Sequence, residues 1–279
     1  MLEVSLVRAL QAVPYLAVRR DEPVARHADW RVGGPAELWL VPETEEALSA
    51  AAKLLAAARV RLQVLDGRRV LIRDGGIDGA LVRPGRFAER LRDRVVGAWV
   101  PAAVLGRRAV TAGWRGLHTL MLRGGTVAEA WRDGVLEHVC RVRVLRGRSV
   151  TELRPEEVRA HHGLLAFTLD PPLALGTEVL ARGRDTVARR VRTGRGLPGQ
   201  LMQDSGRQPA AELITQADLC GVRLRGARIG TVEPNSIINL GGATARDILL
   251  LMKMVEDRVQ IQSGWCLKPT LRPQGRNTR

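Results

Sequence analysis

The sequence predicts an α+β protein in two parts. Three observations carry this. Short alternating strands, helices and Gly-rich turns are interleaved through the first two-thirds of the 279 residues. The pattern changes after residues 184–192, and one long amphipathic helix dominates the remainder of the chain.

Residues 3–12 read as a short helix. In "AELWLVPETEEALSAAAKLLAAARVRLQVLDG", Glu37–Val41 alternates as a strand and Pro42 stops it. Thr44 is placed to cap a helix whose first turn carries Glu45 and Glu46. The Ala-rich run 47–58 continues that helix, and Arg61–Leu65 is the next strand. "RVLIRDGGIDGALVRP" reads as two short apolar strands around a Gly-rich turn, followed by "VVGAWV". "PAAVLGRRAVTAG" is helical to Ala112, with Gly113 as the C-terminal signal. "VCRVRVLRGRSVTEL" is a hairpin about Arg146–Gly147, and "GTEVLARG" another strand. Residues 184–192 suggest a connecting helix, 193–209 a loop and 210–217 a short helix. "VRLRGARIG" and "SIINL" precede the strongest helix, "ATARDILLLMKMVEDRVQIQSG". Thr244 and Asp247 open it like a capping box, Ile248, Leu251, Met252, Val255 and Val259 form its apolar stripe, and Gly264 ends it. The expected division is an N-terminal helix (1–20), a domain at 21–183 with two subdomains split near 90–95, and a second domain at 184–279.

At 45% hydrophobic the chain can bury a sizeable core. Its apolar runs fall short of the roughly 20 residues of a membrane span, and "MLEVSLVRALQAVPYLAVRR" lacks a signal-peptide pattern, so a cytoplasmic protein is expected. The net charge of +15 suggests a polyanion partner only superficially. Three of the 44 basic residues are lysine, leaving 41 dispersed arginines, and aromatics are only 3%, which argues against nucleic acid. Cys140, Cys220 and Cys266 form no C-x-x-C pair and are expected to be buried free thiols. No metal site is indicated: His161–His162 is the only histidine pair, and it lacks a third ligand in the sequence pattern.

The loop "LPGQLMQDSGRQPAAELI" (197–214) delivers polar groups ahead of a helix, yet its serine has no base beside it. Its context supplies a reading. "SIINLGGATARDILLLMKMVEDRV" followed by "LKPTLRPQG" resembles the end of the MurB family, the UDP-N-acetylenolpyruvoylglucosamine reductases of peptidoglycan synthesis. "HADWRVGGPAELWLVPETEEAL" is similar to the family's opening segment. "VLDGRRVLIRDGGIDGALVR" and "TAGWRGLHTLMLRGGTVAEA" stand at its two flavin loops. The order agrees from about residue 20 to 275.

The resemblance implies an FAD-binding region of the vanillyl-alcohol-oxidase type (PCMH-like) followed by a MurB C-terminal α/β substrate domain. It implies FAD as cofactor, NADPH as reductant, a UDP-sugar substrate and a monomer. Hydride addition to the enolpyruvyl ether leaves a carbanion beside a carboxylate, so a cation must hold charge and an acid must deliver a proton. At the family's serine stands Gln200, at its glutamate Thr270 and at its arginine His162. An amide is no proton donor of the hydroxyl kind, threonine carries no carboxylate, and imidazole, cationic near neutral pH at its ordinary pKa, has no bidentate fork. The cofactor loops would be Gly67, Arg68 and Arg69, with Gly125, Thr126 and Val127. Asp66 enters the first loop, where Arg68 and Arg69 are expected to balance it. Ala128 and Glu129 replace two glycines of the second, and Trp131 is placed to fill flavin space. Asn235 keeps a substrate-binding position. Scaffold signals survive while chemistry positions differ, the pattern of a fold kept and a reaction lost. Two readings stay open: the family's FAD- and NADPH-dependent reduction of UDP-GlcNAc-enolpyruvate to UDP-MurNAc by rewired residues, and a non-catalytic binding or regulatory protein, a pseudoenzyme of cell-wall synthesis, cell shape or division.

Overall fold

The computed structural model describes residues 3–173, 201–203, 208–270 and 273–277. Two compact units emerge. One comprises Met1–Glu22, Ala36–Arg68 and Asp78–Gly196; the other comprises Pro23–Pro35, Arg69–Ile77 and Leu197–Arg279. The second unit is therefore more than a C-terminal piece: it takes in two stretches from the region 21–183 that reads in sequence as one domain.

The first unit starts with α1 (Val4–Gln11), β1 (Leu16–Pro23), β2 (Pro35–Pro42), α2 (Glu45–Ala57), β3 (Leu62–Val64) and β4 (Ile77–Val82). The sheet order is β1-β2-β4-β3, with β3 and β4 parallel. The Thr44 hydroxyl accepts the Ala47 N–H at 3.2 Å, as the cap predicts. Leu48, Ala51, Ala52 and Leu55 of α2 then join Leu38, Leu40 and Val82 in one core. Each fully buried leucine there contributes about 1.5–3 kcal/mol.

The rest of this unit holds β5 (Leu91–Arg92), β6 (Val95–Gly97), α3 (Ala102–Ala112), α4 (Val127–Arg132), β7 (Val139–Arg146), β8 (Ser149–Leu153) and β9 (Gly163–Leu169). The sheet runs β5-β6-β9-β7-β8, all antiparallel. The β7–β8 hairpin closes at Arg146 and Ser149 as expected. Gly113 ends α3 at φ 68°, where a side chain would be strained. β9 is not announced by the sequence because almost every one of its residues is buried, so no alternation marks it.

The second unit contains β10 (Met202–Gln203), α5 (Ala210–Gln216), β11 (Arg223–Leu224), β12 (Ala227–Ile229), β13 (Ile237–Asn239), α6 (Ala245–Ser263) and β14 (Lys268–Pro269). β11, β12 and β13 form one sheet, and β10 pairs with β14. The α6 stripe packs into a core with Trp30, Val32, Leu71, Leu213 and Ile214. "RVLIR" does not form the expected strand. Only Ile72 makes a bridge, to Gln274, and the stretch is instead laced to the C-terminal segment. The Arg73 and Gly75 N–H groups donate to Gln274 O and Arg276 O, and the Gln274 and Arg276 N–H groups return bonds to Leu71 O and Gly76 O, all at 2.8–3.0 Å.

The three cysteines are free but exposed, not buried. Apolar neighbours in sequence are a poor guide here: Cys140 faces outward on β7, and Cys220 and Cys266 lie in connections that come after helices. Trp30, Trp39, Trp99 and Trp114 are core residues. Among the described residues no helix is long and apolar enough to cross a membrane, and no group of His, Cys, Asp and Glu is arranged to hold a metal. The expected strand at 176–183, the helix at 184–192 and most of the loop at 193–209 lie outside the described residues.

Candidate active site

Two glycine turns meet in the first unit. The Thr126 hydroxyl donates to Asp66 O at 2.7 Å, tying the turn at Gly125 to the turn at Gly67. The Trp99 indole N–H fixes the same strand end through Leu65 O at 2.8 Å. Gly125 sits at φ 81° and its carbonyl accepts the Ala102 N–H. Val127 and Ala128 are buried, their N–H groups bonded to Val100 O and Ala98 O. The turn at Gly67 and the turn of Gly125, Thr126 and Val127 thus lie side by side in this unit. Arg68 is exposed at the edge, and Arg69 belongs to the other unit.

Glu129 matters more than its place in the sequence suggests. Thr126 and Glu129 form a capping box: the Thr126 hydroxyl accepts the Glu129 N–H at 3.1 Å, and Glu129 Oε2 accepts the Thr126 N–H at 2.9 Å. Its carboxyl is buried in the gap between the turns. A Cβ placed on Gly67 or on Gly125 would overlap that carboxyl. The T-x-x-E signature is the signal that marks it. A flavin pyrophosphate does not fit here as the residues stand, because a carboxylate already fills the gap.

Asp66 is paired with Arg132, a partner that sequence neighbourhood does not point to. Arg132 Nε donates to Asp66 Oδ2 at 2.9 Å, and Nη2 donates to His162 O at 2.9 Å. Burial raises the Asp66 carboxyl above its ordinary range, opposed by the Arg132 charge and hydrogen bond. Trp131 is half-buried, its ring 5.7 Å from that of Phe167.

His162 is buried, and its Nδ1 accepts the Arg159 N–H at 3.1 Å. Burial lowers its pKa, and the positive charges of His161, Arg146, Arg132 and Arg159 lower it further. The cationic imidazole expected near neutral pH is thereby disfavoured: the ring sits out of water among like charges. Arg159, the nearest alternative cation in sequence, donates from Nη1 to Glu156 O.

In the second unit Thr270 and Asn235 meet at the same short segment. The Thr270 hydroxyl donates to Leu201 O at 3.0 Å, and its N–H donates there too. Asn235 bonds the Met202 backbone both ways, accepting its N–H and donating to its carbonyl at 2.9 Å each. Asn239 donates to Trp30 O and accepts the Gly241 N–H. Gln200 and Ser205 lie outside the described residues. Arg69, with Arg31, Trp30, Ile238 and Asn239, lines a cleft of about 480 Å³ in this unit.

Residues 183–272 match the family described as UDP-N-acetylenolpyruvoylglucosamine reductase, C-terminal domain. The reductase of Syntrophotalea carbinolica is 30% identical, over 97% of this chain and 98% of its own. That of Geobacter sulfurreducens is 32% identical, over 94% and 96%. The solved MurB of Thermus caldophilus shares the fold, with a TM-score of 0.73 at 24% identity, covering 92% of this chain and 98% of that one. The two curated likenesses span nearly the whole length of both partners, and on them this chain belongs to the MurB family of UDP-N-acetylenolpyruvoylglucosamine reductases.

Proposed function

We propose that this chain keeps the MurB scaffold without the reductase reaction and acts as a binding or regulatory protein of peptidoglycan precursor synthesis or cell division. One observation carries the reading. The side chains at two of the three chemistry positions are committed elsewhere: the buried His162 ring accepts a backbone N–H, and the Thr270 hydroxyl is given to Leu201 O. Neither offers a fixed cation or a carboxylate to a developing carbanion. Gln200, at the third, offers no acidic hydroxyl. Loss of one such group commonly lowers a rate by orders of magnitude.

A binding role has a place to reside. Arg31 and Arg69 beside the apolar Trp30 and Ile238 suit a ligand that joins a diphosphate to a flat base or a sugar. The relatives are named for a UDP-sugar substrate, so a UDP-sugar is the ligand class to test. FAD and NADPH are the cofactor and reductant that family membership brings into question.

The test uses the whole purified chain with FAD, NADPH and enolpyruvyl-UDP-GlcNAc, read at 340 nm, beside UDP-GlcNAc titration by calorimetry. Binding without NADPH oxidation is expected. Oxidation dependent on the enolpyruvyl substrate would overturn the reading and return the chain to the working reductases that its relatives are named as.

A further inference from the structure

Glu129 is a buried acid that no step of the family reaction employs. Its position is fixed from two sides. The Thr126 N–H holds Oε2, and the side chain lies against two turns that both carry glycine, Gly67 and Gly125. Gly67 is not in the left-handed region, so its backbone places no demand for glycine. What a side chain at Gly67 would strike is the Glu129 carboxyl, Oε1 and Cδ first and Cγ at 3.0 Å. The glycine here therefore makes room for this chain's own glutamate. The two turns are tied by the Thr126–Asp66 bond, and the Glu129 carboxyl lies against both of them.

We propose that Glu129 is an internal competitor for the place that the flavin's diphosphate would take: seated Glu129 and bound diphosphate exclude each other. The proposal rests on the reading that this unit keeps the MurB cofactor turns, and it adds how they are closed. Two effects act in the same direction. The carboxylate fills the volume, and any diphosphate that entered beside it would meet like charge at short range.

The test measures FAD and ADP affinity of the full-length chain by fluorescence titration, for the native sequence, Glu129→Ala and Glu129→Gln. Glu129→Ala is expected to bind FAD and ADP at least about tenfold more tightly than the native chain, which is about 1.4 kcal/mol. Glu129→Gln keeps the volume and is expected to gain less. Equal affinity of all three for both probes overturns the proposal. A second measurement needs no ligand. Gly67→Ala is expected to destabilise the native chain and to cost far less in the Glu129→Ala background. If Glu129→Ala does not fold, Glu129→Gln is compared with the native chain, and equal affinity of the two for FAD and ADP overturns the proposal. Failure here is distinct from failure of the functional reading. Substrate-dependent NADPH oxidation would overturn that reading whatever these affinities prove to be.

Discussion

Two capping boxes in this molecule are chemically near-twins and serve different ends. At Thr244 the hydroxyl accepts the Asp247 N–H at 3.1 Å and Asp247 Oδ2 accepts the Thr244 N–H at 3.0 Å. At Thr126 the corresponding bonds are 3.1 and 2.9 Å. The first opens a helix of 19 residues whose stripe anchors the core of the second unit. Asp74 completes it, accepting the Ala245 and Arg246 N–H groups. The second opens a helix of six residues, and its carboxylate, one methylene longer, reaches into the gap between Gly67 and Gly125. The same local grammar builds scaffold in one place and closes a cofactor turn in the other. A cap's role is set by what lies one methylene beyond it.

Perturbations of decreasing size sharpen this contrast. Leu251→Ala, in the stripe that the Thr244 box launches, should lower stability by about 2–5 kcal/mol, read as a shift of the urea midpoint. Asp247→Ala should cost about 0.5–2 kcal/mol. Glu129→Ala should cost less than Asp247→Ala, because it also frees a buried carboxylate from its crowded gap; the reverse order in the same unfolding experiment would break the comparison. Thr270→Val removes one hydroxyl bond to Leu201 O and should cost about 0.5–1.5 kcal/mol.

The pH dependence is the finest of these tests. The His162 pKa is lowered in the fold, so its contribution is present above the unfolded imidazole value of about 6.5 and is lost as pH falls through the folded value. Thermal midpoints should therefore drop on acidification below about pH 6.5. His162→Gln should flatten that limb. Asp66, raised by burial, has the opposite sign: its contribution is lost as pH rises from about 3.9 through the folded value. The difference between the native chain and His162→Gln, not the curve of either alone, isolates His162.

Much of the scaffold was legible because its signals are local. Thr44 caps α2, Gly113 closes α3, and the Thr244 box with its stripe writes α6 into the sequence within 20 residues. β9 was not legible, since burial on both faces erases the period-two pattern. The candidate site was half legible. The turns at Gly67 and Gly125 could be named from the resemblance, but Glu129 filling the gap depends on a contact across some 60 residues. The charge beside Asp66 was hidden for the same reason. Arg68 and Arg69 are neighbours in sequence, while Arg132 is a neighbour in space. Asn235 was visible as a motif residue, but its double bond to the Met202 backbone could not be foreseen.

The lacing of residues 71–76 to 274–276 has a consequence for how the molecule is made. Trp30, Val32 and Leu71 are synthesised well before their core partners on α6 and before the segment that straps Ile72. That core cannot close before α6 has been made, whereas the α2 sheet of the first unit draws its core from residues no later than Leu165. A growing chain thus completes the α2 core first, while the Trp30 carbonyl waits for Asn239, 209 residues further on. Excising 197–279 for separate expression would yield a fragment missing Trp30, Val32 and Leu71 from its interior.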